Sequence, residues 1–542
     1  MDRDRFEAER IPSILRLFEQ SNPAVAKVSG DLSNRVAMVD RTMGNSTLEV
    51  CAPQSGESCG PAALDERRER TRKHLAALAE ERDHWIENNR YYYGLVGKLL
   101  RFLVEPQKRV LMVRCGTGTL LASVYPRVGK GIEICSEIVE VAKRRLPAFS
   151  YSVAFPDTEG FRQCFKEEGE KFDYIIFNYI DDTVDVQRAL QNLKPLCHRQ
   201  TRILLTTYNH LWEPLITLAE SLGMKVPQIE QNWLSGGDLQ NLLALSGYEP
   251  LGIRRIVLFP KYIPLVSAFL NSFLARLPGL NRLCMTEVHV ARLIPPRIDP
   301  QELSVSVIIP CKDERGNVEA AVRRIPALGG RMEIIFCDDR STDGTADEVR
   351  RMQELHPECD IRLEQGPGVC KAKNVWTGFD AASGDVLMIL DADLTTMPEE
   401  LPYFLDAITS GAAEFVNGSR LIYPVPHGAM KGVNMLGNKL FSLAFSYLLH
   451  QRVKDTLCGT KVLWRSDWQR IKSSLGSWGV EDRWGDYELL FGASKLNLRI
   501  IDLPVHYQER IYGSTKMTKV FHNGLVMLRM CWYGFLKLKL GY

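Results

Sequence analysis

The spacing of apolar and polar positions changes character several times along the 542 residues. Residues 1–65 hold no sustained period, and turn formers such as PQSGESCGPAA interrupt a short helical stretch, so a poorly ordered N-terminal extension is expected there. ERRERTRKHLAALAEERDHW (66–85) reads as a charged helix with a thin apolar stripe. From Arg109 onward short apolar runs, VLMV (110–113), GKGIEI (129–134), FDYIIFN (172–178) and RILLTTY (202–208), alternate with helix-length spacers. That alternation predicts a parallel sheet with helices on its faces. The pattern closes near Leu293, and IPPRIDPQEL (294–303), with three prolines, reads as a linker. It then restarts: SVSVIIP (304–310), MEIIFCDD (332–339), DVLMILDAD (385–393) and EFVNGS (414–419) are the next strands. The fold class expected is α/β, with two tandem domains over 66–293 and 304–520, and an amphipathic helix over 521–542.

Composition narrows the classes of function. Hydrophobic residues make up 45% and charged residues 25%, ordinary values for a globular protein. The net charge of +2 gives no support to nucleic acid as a partner. Thirteen cysteines without a C-x-x-C pair suit a reducing compartment better than a disulfide scaffold. The opening MDRDRFEAERIPS lacks the apolar core of a signal peptide, and no apolar run reaches the ~18 residues of a membrane span. A cytoplasmic location is expected. Peripheral membrane contact is an option left by two amphipathic stretches, MLGNKLFSLAFSYLLH (435–450) and FHNGLVMLRMCWYGFLKLKL (521–540). A helix packed on its own domain fits the same pattern.

In the first unit, VLMVRCGTGTLL places Gly116 and Gly118 between a strand and a helix, where glycines let a backbone approach a ligand. Glu133 ends the next strand, where a carboxylate can bind a ribose diol. This stretch resembles class I S-adenosylmethionine-dependent methyltransferases over roughly 85–250. The resemblance implies a Rossmann-like methyltransferase fold, S-adenosylmethionine as cofactor, a loop shaped by Gly116 and Gly118, and Glu133 on the ribose. The chain departs from the family at Met112, where an acidic residue is usual, and at Arg114, where a glycine is usual. An acidic residue is also missing near Ala154, with Asp157 displaced from that place. A working methyltransferase and a domain that has lost its cofactor both fit.

The second unit carries three acidic clusters on successive strand ends, where an open parallel sheet places its ligands. IIPCKDE supplies Asp313 and Glu314; CDDRSTDGT supplies Asp338, Asp339, Ser341 and Asp343, with Gly344 for the turn; LDADLT supplies Asp391 and Asp393. Carboxylates are costly to gather unless they meet a cation, and the i, i+2 spacing of Asp391 and Asp393 lets one strand end aim both at a divalent metal, magnesium or manganese.

These motifs resemble family-two glycosyltransferases of the GT-A fold, in the branch of dolichyl-phosphate mannose synthases and dolichyl-phosphate glucosyltransferases, over about 304–520. The resemblance implies a nucleotide-sugar site made by Pro310, Asp313 and Glu314 of VIIPCKDERGNV, by Asp338, Asp339, Ser341 and Asp343, and by Asp391. It implies metal ligation by Asp391 and Asp393. NGSRL brings Arg420, KDTLCGTKVLW brings Asp455, Cys458, Gly459 and Lys461, and VHYQERIYGSTKM brings Arg510, Gly513, Ser514 and Lys516. Arg420, Arg510 and Lys516 are expected to hold phosphate oxygens and the leaving diphosphate. Asp486, with Glu488 beside it in RWGDYELL, is the expected base for a hydroxyl acceptor.

The activity expected is inverting transfer of a sugar from a nucleotide-sugar donor to a polyprenyl-phosphate or glycan acceptor. Two rivals remain: a glycan methyltransferase whose GT-A domain only binds glycan, and a non-catalytic membrane-associated scaffold.

Overall fold

A computed structural model describes residues 61–165, 169–226, 230–424, 432–479, 481–513 and 520–541. The expectation for residues 1–65 therefore lies almost wholly outside the described residues. Residues 64–542 form one compact unit that holds two seven-stranded sheets in tandem.

The first sheet is built from β1 (Arg109–Val113), β2 (Val128–Glu133), β3 (Ser150–Val153), β4 (Phe172–Phe177), β5 (Cys197–Tyr208), β6 (Tyr248–Ile256) and β7 (Thr286–Leu293). Their order is β3-β2-β1-β4-β5-β7-β6. The first five strands run parallel, and β7 pairs antiparallel with both β5 and β6. Along β1, Val110 and Met112 enter one apolar layer and Leu111 and Val113 the other. Such double burial is why the run VLMV shows no polar alternation.

The second sheet comprises β8 (Ser304–Cys311), β9 (Arg331–Asp338), β10 (Asp360–Gln365), β11 (Val386–Ile389), β12 (Phe415–Ser419), β13 (Lys461–Trp464) and β14 (Ile500–Pro504). The order is β10-β9-β8-β11-β13-β12-β14, with β13 antiparallel to its two neighbours. In β8, Val305, Val307 and Ile309 face one layer and Ile308 the other. The expected α/β class with two tandem domains is met: one mixed seven-stranded sheet is followed by another.

Three local features differ from or sharpen the expectation. The helix read over 66–85 is two helices, Pro61–Ala77 and Arg82–Asn88, because tight turns at Leu78 and Ala79 redirect the chain. The proline-rich segment 294–303 does not run free: the Ile298 N–H donates to the Thr409 carbonyl at 2.9 Å, and Pro300–Glu302 forms a 3₁₀ turn. The C-terminal amphipathic stretch is a helix over Val520–Leu538. No disulfide joins the described cysteines.

Candidate functional site

The C-terminal ends of β8, β9 and β11 converge, and with them the acidic clusters. The turn after β8 is held by its own side chains: the Asp313 N–H donates to the Ser341 hydroxyl (2.9 Å), and Asp313 accepts from the Thr342 N–H (2.8 Å). Glu314 is buried and accepts from the Asn317 amide (2.7 Å) and from Arg510 (3.1 Å). After β9, Asp339 accepts from the Gly368 N–H (2.6 Å). Asp338 accepts from the Ser341 N–H (3.2 Å) through one oxygen, while its other oxygen is buried without a hydrogen-bond partner among the described residues. An unmatched buried acceptor is costly, which marks Asp338 as able to receive a donor from a ligand. Asp343 differs from its neighbours: both oxygens accept backbone N–H groups, of Thr345 and Arg315 at 3.0 Å each, at the starts of two helices. Its visible work is to cap them. Pro310 lies on β8 beside this turn, paired in register with Cys337.

The two aspartates after β11 meet cations from distant segments. Asp391 accepts from Lys371 Nζ at 2.5 Å, and Asp393 accepts from Arg510. Burial works against the Asp391 charge, yet Lys371 holds its carboxyl below the usual range, and Asp391 in turn raises Lys371 against its own burial. Gly459 comes so close to Asp391 that any side-chain carbon there would overlap the carboxylate. The glycine in KDTLCGTK is thus a matter of space. Among the described residues no group of three or more His, Cys, Asp or Glu side chains could hold a metal by itself. Asp391 and Asp393 fit a hard divalent ion that completes its shell with ligand oxygens and water, as magnesium commonly does.

Arg420 follows β12 and forms a bidentate pair with Asp455, at 2.8 and 2.9 Å. Burial opposes the charge, but Asp455 holds the guanidinium above its ordinary value, and Arg420 keeps Asp455 below its own. Lys461 on β13 pairs with Asp486 at 2.6 Å, both of them buried. Burial pushes the Asp486 carboxyl up despite Lys461 and Lys371 nearby. Glu488 lies next to it but turns away, accepting the Gly476 N–H at 2.7 Å, and burial raises it as well. Cys458 is buried between Asp455 and Lys461, and Gly513 sits with positive φ beside Arg510. Ser514 and Lys516 lie outside the described residues.

The residue that sequence reasoning overlooked is Lys371. Its signal was present: Gly366 and Gly368 precede it, and it begins the helix Lys371–Ala381, as a phosphate-facing loop would be built.

In the first unit, the expected cofactor residues are turned inward. Gly116 and Gly118 do take positive φ, as a tight loop requires. Glu133, however, is fully buried and engaged: it accepts from the Gly116 and Ile134 N–H groups at 2.9 Å and pairs with Arg114 at 3.2 Å. Arg114 also reaches Asp182 at 3.1 Å. The guanidinium of Arg82 lies against Gly116, 3.5 Å from where a Cβ would stand, and Asp83 accepts from Thr117 at 2.9 Å. Asp157, the displaced acidic residue, is buried and taken by Arg68 at 2.8 Å. What remains between Arg68, Arg114, Asp157 and Asp182 is a cavity of ≈ 10 Å³, about the room of one water molecule. These residues do not fit a bound S-adenosylmethionine.

Among the described residues no helix is long and apolar enough to cross a membrane. The helices Gly432–Leu449 and Val520–Leu538 lie side by side and leave an apolar groove of ≈ 300 Å³ lined by Tyr447, Leu448, Leu528 and Trp532. Leu443 and Leu525 stand exposed near it, at 70% and 66%.

Residues 306–466 match the family Glycosyl transferase family 2. The chain is similar to a dolichol-phosphate mannosyltransferase of Pyrococcus furiosus, 39% identical over 122 residues, covering 22% of this chain and 34% of that protein. It is also similar to the low-salt glycan biosynthesis hexosyltransferase Agl6 of Haloferax volcanii, 28% identical over 217 residues, covering 38% and 48%. The chain thus spans between a third and half of the length of these curated relatives. Among solved structures, glucosyl-3-phosphoglycerate synthase from Mycobacterium tuberculosis aligns at 17% identity and a TM-score of 0.33, covering 44% of this chain and 80% of that one. A SAM-dependent methyltransferase from Thermotoga maritima aligns at 14% and 0.33, covering 41% and 99%.

Proposed function

We propose that this chain, whose residues 306–466 match glycosyl transferase family 2, moves a sugar with inversion from a nucleotide-sugar to a polyprenyl-phosphate or glycan acceptor. The observation that carries the reading is the convergence of three strand ends, where Asp391 and Asp393 meet Lys371 and Arg510 from elsewhere in the chain. Acids and bases that neutralise each other in this way are set to exchange those partners for a diphosphate and its counter-ion.

In this reading Asp338 and Asp339 take the base and ribose, with Pro310, Asp313, Glu314 and Ser341 shaping that side. Asp391 and Asp393 hold magnesium or manganese, which when bound neutralises diphosphate oxygens. The acceptor oxygen attacks the anomeric carbon, the bond to the diphosphate breaks, and the electron pair leaves on the nucleoside diphosphate. Lys371, Arg420 and Arg510 stabilise that charge, and Lys516, outside the described residues, is the further cation proposed from the sequence motif. A phosphate acceptor arrives ionised and needs no base. A hydroxyl acceptor must give up its proton, and Asp486 is the carboxylate proposed to receive it.

The apolar groove and the exposed Leu443 and Leu525 support a lipid-linked acceptor met at a membrane surface, since an amphipathic pair of helices can lie in the interfacial plane. The methyltransferase rival finds no support in a Glu133 that is buried and paired with Arg114. The scaffold rival leaves the charge-matched site without a purpose. Calorimetric titration of the full chain with UDP- and GDP-sugars in manganese tests the proposal. Saturable binding of one donor class is expected; absence of binding by every donor counts against it.

A further inference from the structure

We infer that Arg202, in the first sheet, is a positioning residue for the glycosyltransferase site of the second. The inference rests on the proposed function for what that site does. β12 and β14 are parallel neighbours, paired from Phe415 with Ile500 to Ser419 with Pro504. Arg420 follows the far end of β12, and the loop carrying Arg510 follows the far end of β14. Both strands are rooted at the same place. The Glu414 and Phe415 N–H groups donate to the Arg499 carbonyl at 2.9 and 3.0 Å, and the Arg499 N–H donates back to the Glu414 carboxylate at 2.9 Å.

The first sheet reaches into that root. Arg202 on β5 is fully buried, donates to Glu414 at 2.7 Å and, through Nε, to the Asn497 carbonyl at 2.9 Å. Arg292 on β7 stands 3.7 Å from the same Glu414 carboxylate and donates to the Gly411 carbonyl at 2.6 Å. One guanidinium thereby ties together the two turns from which β12 and β14 start. Five-residue strands are stiff rods of roughly 17 Å. A shift at their roots is carried to Arg420 and Arg510 at their tips, whereas the strand ends bearing Asp338 and Asp391 are rooted elsewhere. This gives a Rossmann-like sheet with a filled cofactor cleft a task in the chain: it braces the two strands that present the arginines.

The test uses the full chain with Arg202→Met, and with Arg202→Lys as the conservative variant. Hydrogen exchange by mass spectrometry reads segments 415–424 and 500–513 against 336–345 and 385–394. A core substitution in the same sheet, Leu111→Ala, serves as a control for general destabilisation. Exchange in the first two segments is expected to rise by about tenfold in Arg202→Met, less in Arg202→Lys, and not selectively in the control. Uniform acceleration across all four segments, or unchanged exchange, overturns the inference; if Arg202→Met does not fold, the same pattern is required of Arg202→Lys. With a working donor, kcat should fall with kcat/KM in Arg202→Met and recover in part in Arg202→Lys. The exchange result needs no activity, so failure of the wild-type enzyme to transfer any sugar would count against the proposed function and leave this inference to its own readout.

Discussion

Lys371 Nζ lies 2.5 Å from Asp391 Oδ1, joining the first residue of a helix to the carboxylate just past the end of β11. Asp391 thus has a protein cation before any ligand arrives. In the proposed function, a donor diphosphate would find that cation already in place, with no long side chain left to order.

Replacing Lys371 by Met should leave the fold intact and lower kcat/KM for transfer by roughly 10²–10³, the cost of removing one preorganised charge-stabilising donor. Steady-state kinetics with the donor found by titration checks this. Activity within about twofold of wild type would assign Lys371 to keeping Asp391 company and nothing more.

Stability should fall at acid pH in part through Glu414. Burial opposes the charge of this carboxyl, yet Arg202, Arg292 and the Arg499 N–H hold it below the usual carboxylate range. Its folded pKa is depressed, so its contribution is complete above the unfolded value of ~4.3 and is lost as pH falls through the folded one. Glu414→Gln should lower Tm at pH 7 and flatten the dependence of Tm on pH below about 4.3. An unchanged slope in the variant would remove Glu414 from the acid response.

S-adenosylmethionine should not bind. Arg82 covers Gly116, Arg114 takes Glu133, and the cavity between Arg68, Arg114, Asp157 and Asp182 measures ≈ 10 Å³. Calorimetry with the full chain is the appropriate measurement, because Arg202 and Arg292 tie the first sheet to the second. Tight binding that disappears in Glu133→Ala would revive the methyltransferase reading.

The strands that carry chemistry were legible in the sequence because both faces are buried, which leaves apolar runs such as VIIP and VLMIL shortly before acids. β3, β6, β7, β10, β13 and β14 were not identified. β7 is buried along nearly its whole length but reads TEVHVARL, because Glu287 and His289 satisfy each other at 3.2 Å and Arg292 reaches Glu249. Glu287 and His289 hide the strand although they are only two residues apart, and Arg292 hides it because its partner Glu249 lies 43 residues away. Separation in sequence likewise hid Arg202, 212 residues from Glu414, and the pairing of Arg420 with Asp455. Asp338, Asp391 and Asp393 were found because each stands next to its strand end. Lys371 was not, since Gly366 and Gly368 signal a loop entering a helix but not that this helix begins opposite β11.

The acceptor can be read from Asp486, which is buried and paired with Lys461. If the acceptor is a polyprenyl phosphate, Asp486→Asn should keep most activity while Arg510→Ala loses it. Loss of a general base for a hydroxyl acceptor typically costs ~10²–10⁴ in rate. Collapse of Asp486→Asn with an unchanged circular dichroism spectrum would therefore contradict the lipid-phosphate reading.

The most direct test of the glycosyltransferase account is release of nucleoside diphosphate by the full chain with a polyprenyl phosphate, manganese and a panel of UDP- and GDP-sugars, measured beside Asp391→Asn. The account predicts that one donor class gives nucleoside diphosphate and glycosylated lipid in equal amounts, that excess chelator stops the reaction, and that Asp391→Asn is inactive though folded. Turnover by Asp391→Asn equal to wild type, or no turnover of any donor by a folded wild-type chain, would contradict it.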